Sequence, residues 1–222
     1  MPEMEITMAT FDTIADFKDE LVRKVLAGAA LTAPTATPLP ATLTSGATSA
    51  LTETTGFKSL GRISDAGLSA SADTESSGVP GWGALEDVRT DIIRRTSTFG
   101  FTCIETRKEV LGLYYNQDLS GVTPDATTGE VSFTEATKPD TRYCRMILLG
   151  VDGEGDNAIY IARFLPRATI SEISEQTWST ADALAYQMTV TAKIDSTLGY
   201  AVKHLYGGPG WKALNAKMGF AA

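Results

Sequence analysis

The sequence predicts a β-rich domain holding a single short helix, and three observations carry that reading. Residues 96–103 and 184–195 alternate with the period of half-buried strands. Two further apolar runs, 143–151 and 158–165, flank a Gly- and Asp-rich turn in the manner of a β-hairpin. The composition, with 20 glycines and a Thr/Ser/Ala-rich character, favours short strands and turns over long helices. At 43% hydrophobic residues, the 222-residue chain has the material to build the core of one moderate domain.

The chain opens on Phe11, Ile14, Phe17, Leu21, Val22 and Val25 at roughly helical spacing, with Gly28 placed to end a helix. Residues 22–31 are equally strand-like, so the expectation is a helix to about Glu20 followed by extended chain. Residues 29–56 are nearly uncharged, with Pro34, Pro38 and Pro40 among many threonines, and read as an extended arm or mobile loop. A short strand is expected at 57–63. Residues 64–83 are Ser/Gly-rich and acidic and read as a long loop, uncommon in a compact domain unless it has a task.

The best-specified stretch is Trp82 to Tyr115. Ser97, Phe99, Phe101 and Cys103 share one face of a strand, and Thr96, Thr98, Gly100 and Thr102 share the other. Thr106-Arg107-Lys108-Glu109 has the form of a capping box, and Val110, Leu111, Leu113 and Tyr114 give the following short helix an apolar face to lay on the sheet. Turn residues at 123–129 precede a brief strand at 131–133. Pro166 is expected to end the second hairpin strand, because it cannot donate to a ladder. Alternation resumes at 167–173. It is clearest from Tyr186, where Met188, Val190, Ala192 and Ile194 face one way and Gln187, Thr189, Thr191, Lys193 and Asp195 the other, leaving one wet face. The C-terminal piece from Tyr206 to Phe220 has little to hold it on its own domain, which makes Trp211 and Phe220 candidates for contacts with a neighbouring subunit.

Reactive chemistry is sparse. A balance of 19 basic to 27 acidic side chains, net −8, argues against an electrostatic grip on nucleic acid. Cys103 and Cys144 sit in apolar strand patterns without a disulfide framework, and no signal-peptide pattern or membrane-length apolar run is present, which points to synthesis in a reducing cytosol. His204 is the one histidine and lies in a strand pattern, where a structural or surface role is expected. Asp152, Glu154 and Asp156 resemble the start of a calcium loop, but the twelfth position falls on Arg163 and strands flank the loop, so a solvated acidic turn is expected. Arg94-Arg95 and Arg107-Lys108 are interspersed with Glu86, Asp87, Asp91, Glu105 and Glu109, a mixed-sign surface rather than a phosphate site. Glu172 and Glu175 are a carboxylate pair that nothing ties to a cleft. No enzyme, cofactor or metal site is expected. Trp82, between Gly81 and Gly83, is either a loop residue folded back on its core or an anchor into a neighbour.

Four stretches together resemble the major tail tube proteins of long non-contractile bacteriophages, in particular those of phages infecting actinobacteria. They are Leu60-Gly-Arg-Ile-Ser-Asp-Ala-Gly-Leu68; Trp82-Gly83 leading through Asp91 to the central strand; Phe101-Thr-Cys-Ile-Glu-Thr106 running into Leu111-Gly-Leu-Tyr-Tyr115; and Arg163-Phe-Leu-Pro-Arg-Ala168 followed by the strand around Tyr186 to Ala192. The segment from Ala33 to Leu43, with its Ala-Pro and Leu-Pro dipeptides, is similar to a loop near the start of such proteins. The resemblance implies two packed antiparallel sheets forming a sandwich or flattened barrel, with one helix, extended loops and terminal arms. It implies an N-terminal arm or helix (1–28), a β-sandwich domain (29–200) whose segments 29–56 and 64–83 act as assembly arms, and a C-terminal arm (201–222). It further implies homohexameric rings stacked into a hollow tube in the virion tail, assembled in the host cytoplasm. Tape measure, tail-tip and tail-terminator proteins are the implied partners, and double-stranded DNA passes without specific binding; no membrane is involved. Inter-subunit contacts are expected at Trp82, Gly83, Arg89, Pro166, Trp211 and Phe220. Another virion β-domain, such as a decoration or tail-terminator protein, or a carbohydrate-binding β-sandwich would share the strand-rich composition.

Overall fold

A computed structural model describes residues 10–220. Its strands are β1 (Ala27–Pro34), β2 (Thr44–Ser45), β3 (Ala50–Leu51), β4 (Lys58–Ser59), β5 (Ile63–Pro80), β6 (Asp87–Cys103), β7 (Cys144–Asp152), β8 (Ile159–Ile173), β9 (Tyr186–Lys193) and β10 (Lys203–Gly207). Three short helices accompany them, α1 (Phe11–Ala15), α2 (Lys108–Tyr114) and α3 (Pro209–Leu214). The expected β-rich class is borne out.

The main sheet runs β4-β1-β7-β8-β9-β6-β5, all antiparallel, with β10 beside β8, and β2-β3 form a small separate hairpin. The two ends of that order, β4 and β5, are joined by Leu60-Gly61-Arg62, so one stretch of chain borders both β1 and β6 and the sheet curls into a flattened barrel. Leu60 N–H donates to the Ala30 carbonyl at 2.9 Å and Ile104 N–H to the Arg62 carbonyl at 3.0 Å, fastening the seam on either side. The barrel encloses Ala30, Leu60, Phe99, Phe101, Cys103, Met146, Leu148, Leu165, Met188 and Val190, and α2 adds Val110 and Tyr114 to that core.

A second cluster lies on the other face of β1, β7 and β8, where Ala33, Leu43, Phe57, Ile147, Ala162 and Phe164 are covered by the chain between β1 and β4. Double burial explains why Met146-Ile147-Leu148 is continuously apolar instead of alternating. It also corrects the expectation for residues 29–56. Their first part is β1, paired with β4 on one side and β7 on the other, because small Ala and Thr side chains fit a strand packed on both faces. Only the remainder is irregular, and it folds back as the cover.

Pro166 does not end its strand. β8 runs on to Ile173, and the register slips between the pairs Met146↔Leu165 and Cys144↔Ala168, so the missing donor falls in a bulge. There β8 passes from β10, paired with Tyr160–Phe164, to β9, paired with Arg167–Ile173. Thr106 does not cap α2 either: its hydroxyl lies 3.0 Å from the Tyr186 hydroxyl, and Arg107 occupies the cap position without a side-chain capping bond. Residues 131–133 form no strand; Phe133 packs its ring 5.6 Å from Tyr115. On β9, Tyr186, Met188, Val190 and Ala192 are buried as expected, but Thr191 on the other face is buried too, and Ile194 lies beyond the strand, exposed.

The N-terminal helix is five residues long, capped by Thr10 and ended by Asp16 at φ 45. It buries nothing, so Phe11, Ile14 and Phe17 stay exposed and the periodic spacing has no face to propagate against. The expected C-terminal looseness is corrected: Trp211 stacks on Tyr206 with ring centroids 5.0 Å apart, and α3 lies against the turn before β8.

Candidate assembly surface

β6 pairs with β9 only from Ser97 to Cys103, whereas its pairing with β5 runs outward to Pro80↔Asp87. Residues 87–95 of β6 therefore leave the barrel with β5 as their sole ladder partner, a two-stranded arm about 30 Å long at the usual rise per residue. The expected loop at 64–83 is the outgoing strand of this arm. Its Ser/Gly-rich sequence carries no apolar alternation because it is paired without being packed.

Such a ribbon is marginal on its own. Cross-strand Glu75 and Arg94 pair at 3.0 Å, and Arg89 forms a two-pronged contact with Asp91 at 2.7 and 3.1 Å, all at exposed positions where ion pairs add little. Register shifts after Glu75 and Val79 add twist. The arm also exposes Val79, Val88, Ile92 and Ile93, and its tip carries fully exposed Trp82 and Leu85, with Gly83 at φ 77 in a conformation that disfavours other residues. Exposed apolar groups in this density mark an interaction surface.

The residues singled out in the sequence fall into three places. Trp82, Gly83 and Arg89 come together on the arm. Trp211 and Phe220 lie 6.1 Å apart at the C-terminal corner, where Tyr206 also receives the Arg163 guanidinium at 4.9 Å; Phe220 is exposed and Trp211 partly covered. Pro166 is fully buried in its own bulge, out of reach of a neighbour. Sequence reading missed Leu85, Ile92, Ile93 and Trp178. The Ile92-Ile93 doublet beside Arg94-Arg95 was the available signal, a bulge pair where one apolar side chain would satisfy alternation.

Nothing here is arranged for catalysis. His204 lies opposite Arg163 on β10, and partial burial, then Arg163 and Arg95, push its pKa down. Burial pushes the Cys103 thiol up to about 11, away from thiolate chemistry. Asp152 pairs with Arg23 at 3.4 Å, and no group of residues able to hold a metal occurs among the described residues. An open groove of about 610 Å³ follows from the second apolar cluster, with Leu31, Leu43, Phe57, Ile147 and Leu149 on its apolar side and Thr52 and Glu53 among its polar lining. No described helix is long and apolar enough to cross a membrane.

The family profile described as phage tail tube protein matches residues 16–201. The chain belongs to the phage tail tube protein family. As a phage tail tube protein it is a structural component of a virion and not an enzyme. Among solved structures it is similar to a chain from the "Virion of native gene transfer agent (GTA) particle", with 10% identity and a TM-score of 0.36, covering 67% of this chain and 88% of that one. No curated protein matches it. The match takes in β1 to β9, with the whole β5–β6 arm and the loop between β8 and β9, and leaves out α1, β10 and the C-terminal corner of this tail tube protein.

Proposed function

We propose that six copies of this tail tube protein close into a ring and that rings stack into a hollow tube through which the genome leaves the virion. The observation that carries this is the arm: a ribbon of this length with an apolar tip and no cover of its own is completed by another copy. Trp82, Gly83 and Arg89 on the arm and Phe220 at the opposite chain end are the proposed inter-subunit contacts, with Trp211 backing Phe220 and Pro166 acting through the bend it creates in β8. The proposed terminal arms are residues 1–28, of which 1–9 lie outside the described residues, and residues 201–222, around the domain of residues 29–200.

The tube assembles in the host cytoplasm, on a tail-tip complex, around a tape measure protein, and is closed by a tail terminator. Double-stranded DNA passes without being gripped, because a chain of net charge −8 gains little from counterion release. Negative-stain electron microscopy of the purified chain across concentrations, with and without tail-tip complexes, tests this. Rings with a central channel and sixfold averages are the expected result; small closed oligomers under both conditions would refute it and favour a terminator or decoration protein.

A further inference from the structure

Trp178 and the arm stand at opposite ends of β6. The loop of residues 174–185 joins Ile173 of β8 to Tyr186 of β9, and Tyr186 is opposite Cys103 at the inner end of β6; the arm leaves from the other end, beyond Ser97. Arg95 and Ile93 lie about 26 and 33 Å from Cys103 along that strand, which separates the loop from the arm of its own chain. Two complementary patches at opposite ends of one molecule make a head-to-tail contact, the kind that grows without closing.

Both patches expose apolar side chains, and Arg95 is the arginine of the mixed-sign arm that stands outside the Arg89–Asp91 and Arg94–Glu75 pairs. Trp178 is largely exposed, bordering an open cleft of about 490 Å³ with Thr177, Thr180, Asp182 and Leu184, and Ile173 is exposed at the end of β8 where the loop begins. Glu172, Glu175 and Asp182 give this end three acidic side chains, and no lysine or arginine occurs in residues 171–185. On the arm, Val88, Ile92 and Ile93 are exposed next to Arg94 and Arg95. Among the described residues Arg95, Glu172 and Glu175 form no ion pair.

We propose that the loop around Trp178 is the acceptor for the arm of a second copy, Trp178 packing on Val88, Ile92 and Ile93 while Glu172 and Glu175 face Arg95. This rests on the tail-tube reading and names the contact that would join one ring to the next. Ring contacts within a layer are separate from it.

The test uses the full chain. Trp178→Ala and Glu175→Lys should keep the wild-type Tm, since both side chains are exposed, yet lower tube yield at least tenfold by electron microscopy. Arg95→Glu should do the same alone and recover tubes when combined with Glu175→Lys. A Trp178→Cys/Ile93→Cys variant should give a ladder of head-to-tail oligomers on oxidation, lost under reduction. Wild-type tubes accompanied by normal tubes from Trp178→Ala and no cysteine ladder would overturn this contact while leaving the tail-tube reading intact. A wild-type chain that forms no tubes even with tail-tip complexes, together with a double-cysteine variant that gives no ladder, would overturn both.

Discussion

The Glu105 carboxylate accepts the backbone N–H of Arg62 at 2.8 Å, which ties the end of β6 to the three-residue link that closes the barrel. Its other oxygen accepts Arg107 Nε at 2.7 Å. The Arg107 guanidinium first, and the Arg62 amide next, hold this carboxyl below its ordinary value. A depressed carboxyl pKa contributes stability above the unfolded value and loses it as pH falls through the folded one. Glu105→Ala should therefore lower Tm at neutral pH, and the gap to wild type should close below about pH 4.5. A gap that persists unchanged into acid would show that the contribution is not ionic.

Phe101 points into the barrel two residues from the inner end of β6 and is almost wholly buried. Phe101→Ala should destabilise the fold by about 3–5 kcal/mol in a denaturant titration. A loss below about 1 kcal/mol would mean that the core there collapses to fill the space.

Removing residues 76–93 and joining Glu75 to Arg94 through an Asn-Gly turn deletes the distal arm without touching the barrel ladder. Unfolding free energy should change by no more than about 0.5 kcal/mol, as expected for exposed groups, and tube formation should cease. Tubes of normal length from this variant would remove the arm from assembly.

Gly210 lies against the turn before β8, and a Cβ there would come within 2.3 Å of the Asn157 carbonyl oxygen, which belongs to the backbone and cannot give way cheaply. Gly210→Ala should lift α3 and release Trp211 from Tyr206. Trp82 and Trp178 are exposed, so a red shift of the tryptophan emission reports this one ring; an unchanged spectrum would show that the corner tolerates the methyl group.

His204 is held below its ordinary 6.5 by partial burial and by Arg163 and Arg95. As pH falls the unfolded chain takes up the proton first, so stability drops from about pH 6.5 down to the folded pKa. Between about pH 7.5 and pH 5.5, a window that spans imidazole titration, wild type should lose more Tm than His204→Gln. Parallel curves would place the titration elsewhere.

Strands that pack were legible in the sequence, and strands that only pair were not. Phe99, Phe101 and Cys103 and the series Tyr186 to Ala192 gave their faces away because a core lies on one side of each. Residues 64–80 form the longest strand in the chain, but neither face meets anything, so no apolar period marks them. Residues 27–34 were legible only in part: residues 22–31 are strand-like, but the buried end of the strand, built of Ala and Thr before Pro34, looks like the start of a low-complexity linker. Pro166 misled because the proline rule holds for a regular ladder and this one slips at that point. The tip of the assembly surface was visible as Trp82 between two glycines, while Trp178 sits among serines and threonines with nothing local to distinguish it.

β6 is one unbroken strand from the arm into the centre of the barrel, and this governs how the molecule carries load. A pull on the arm travels along the covalent chain to the stretch facing β9, where the hydrogen bonds between Ser97 and Cys103 lie across the direction of the force. They are strained together in shear rather than unzipped one after another. If copies join through the arm as proposed, the subunit would transmit tension along this strand, with its ladder to β9 resisting as a unit.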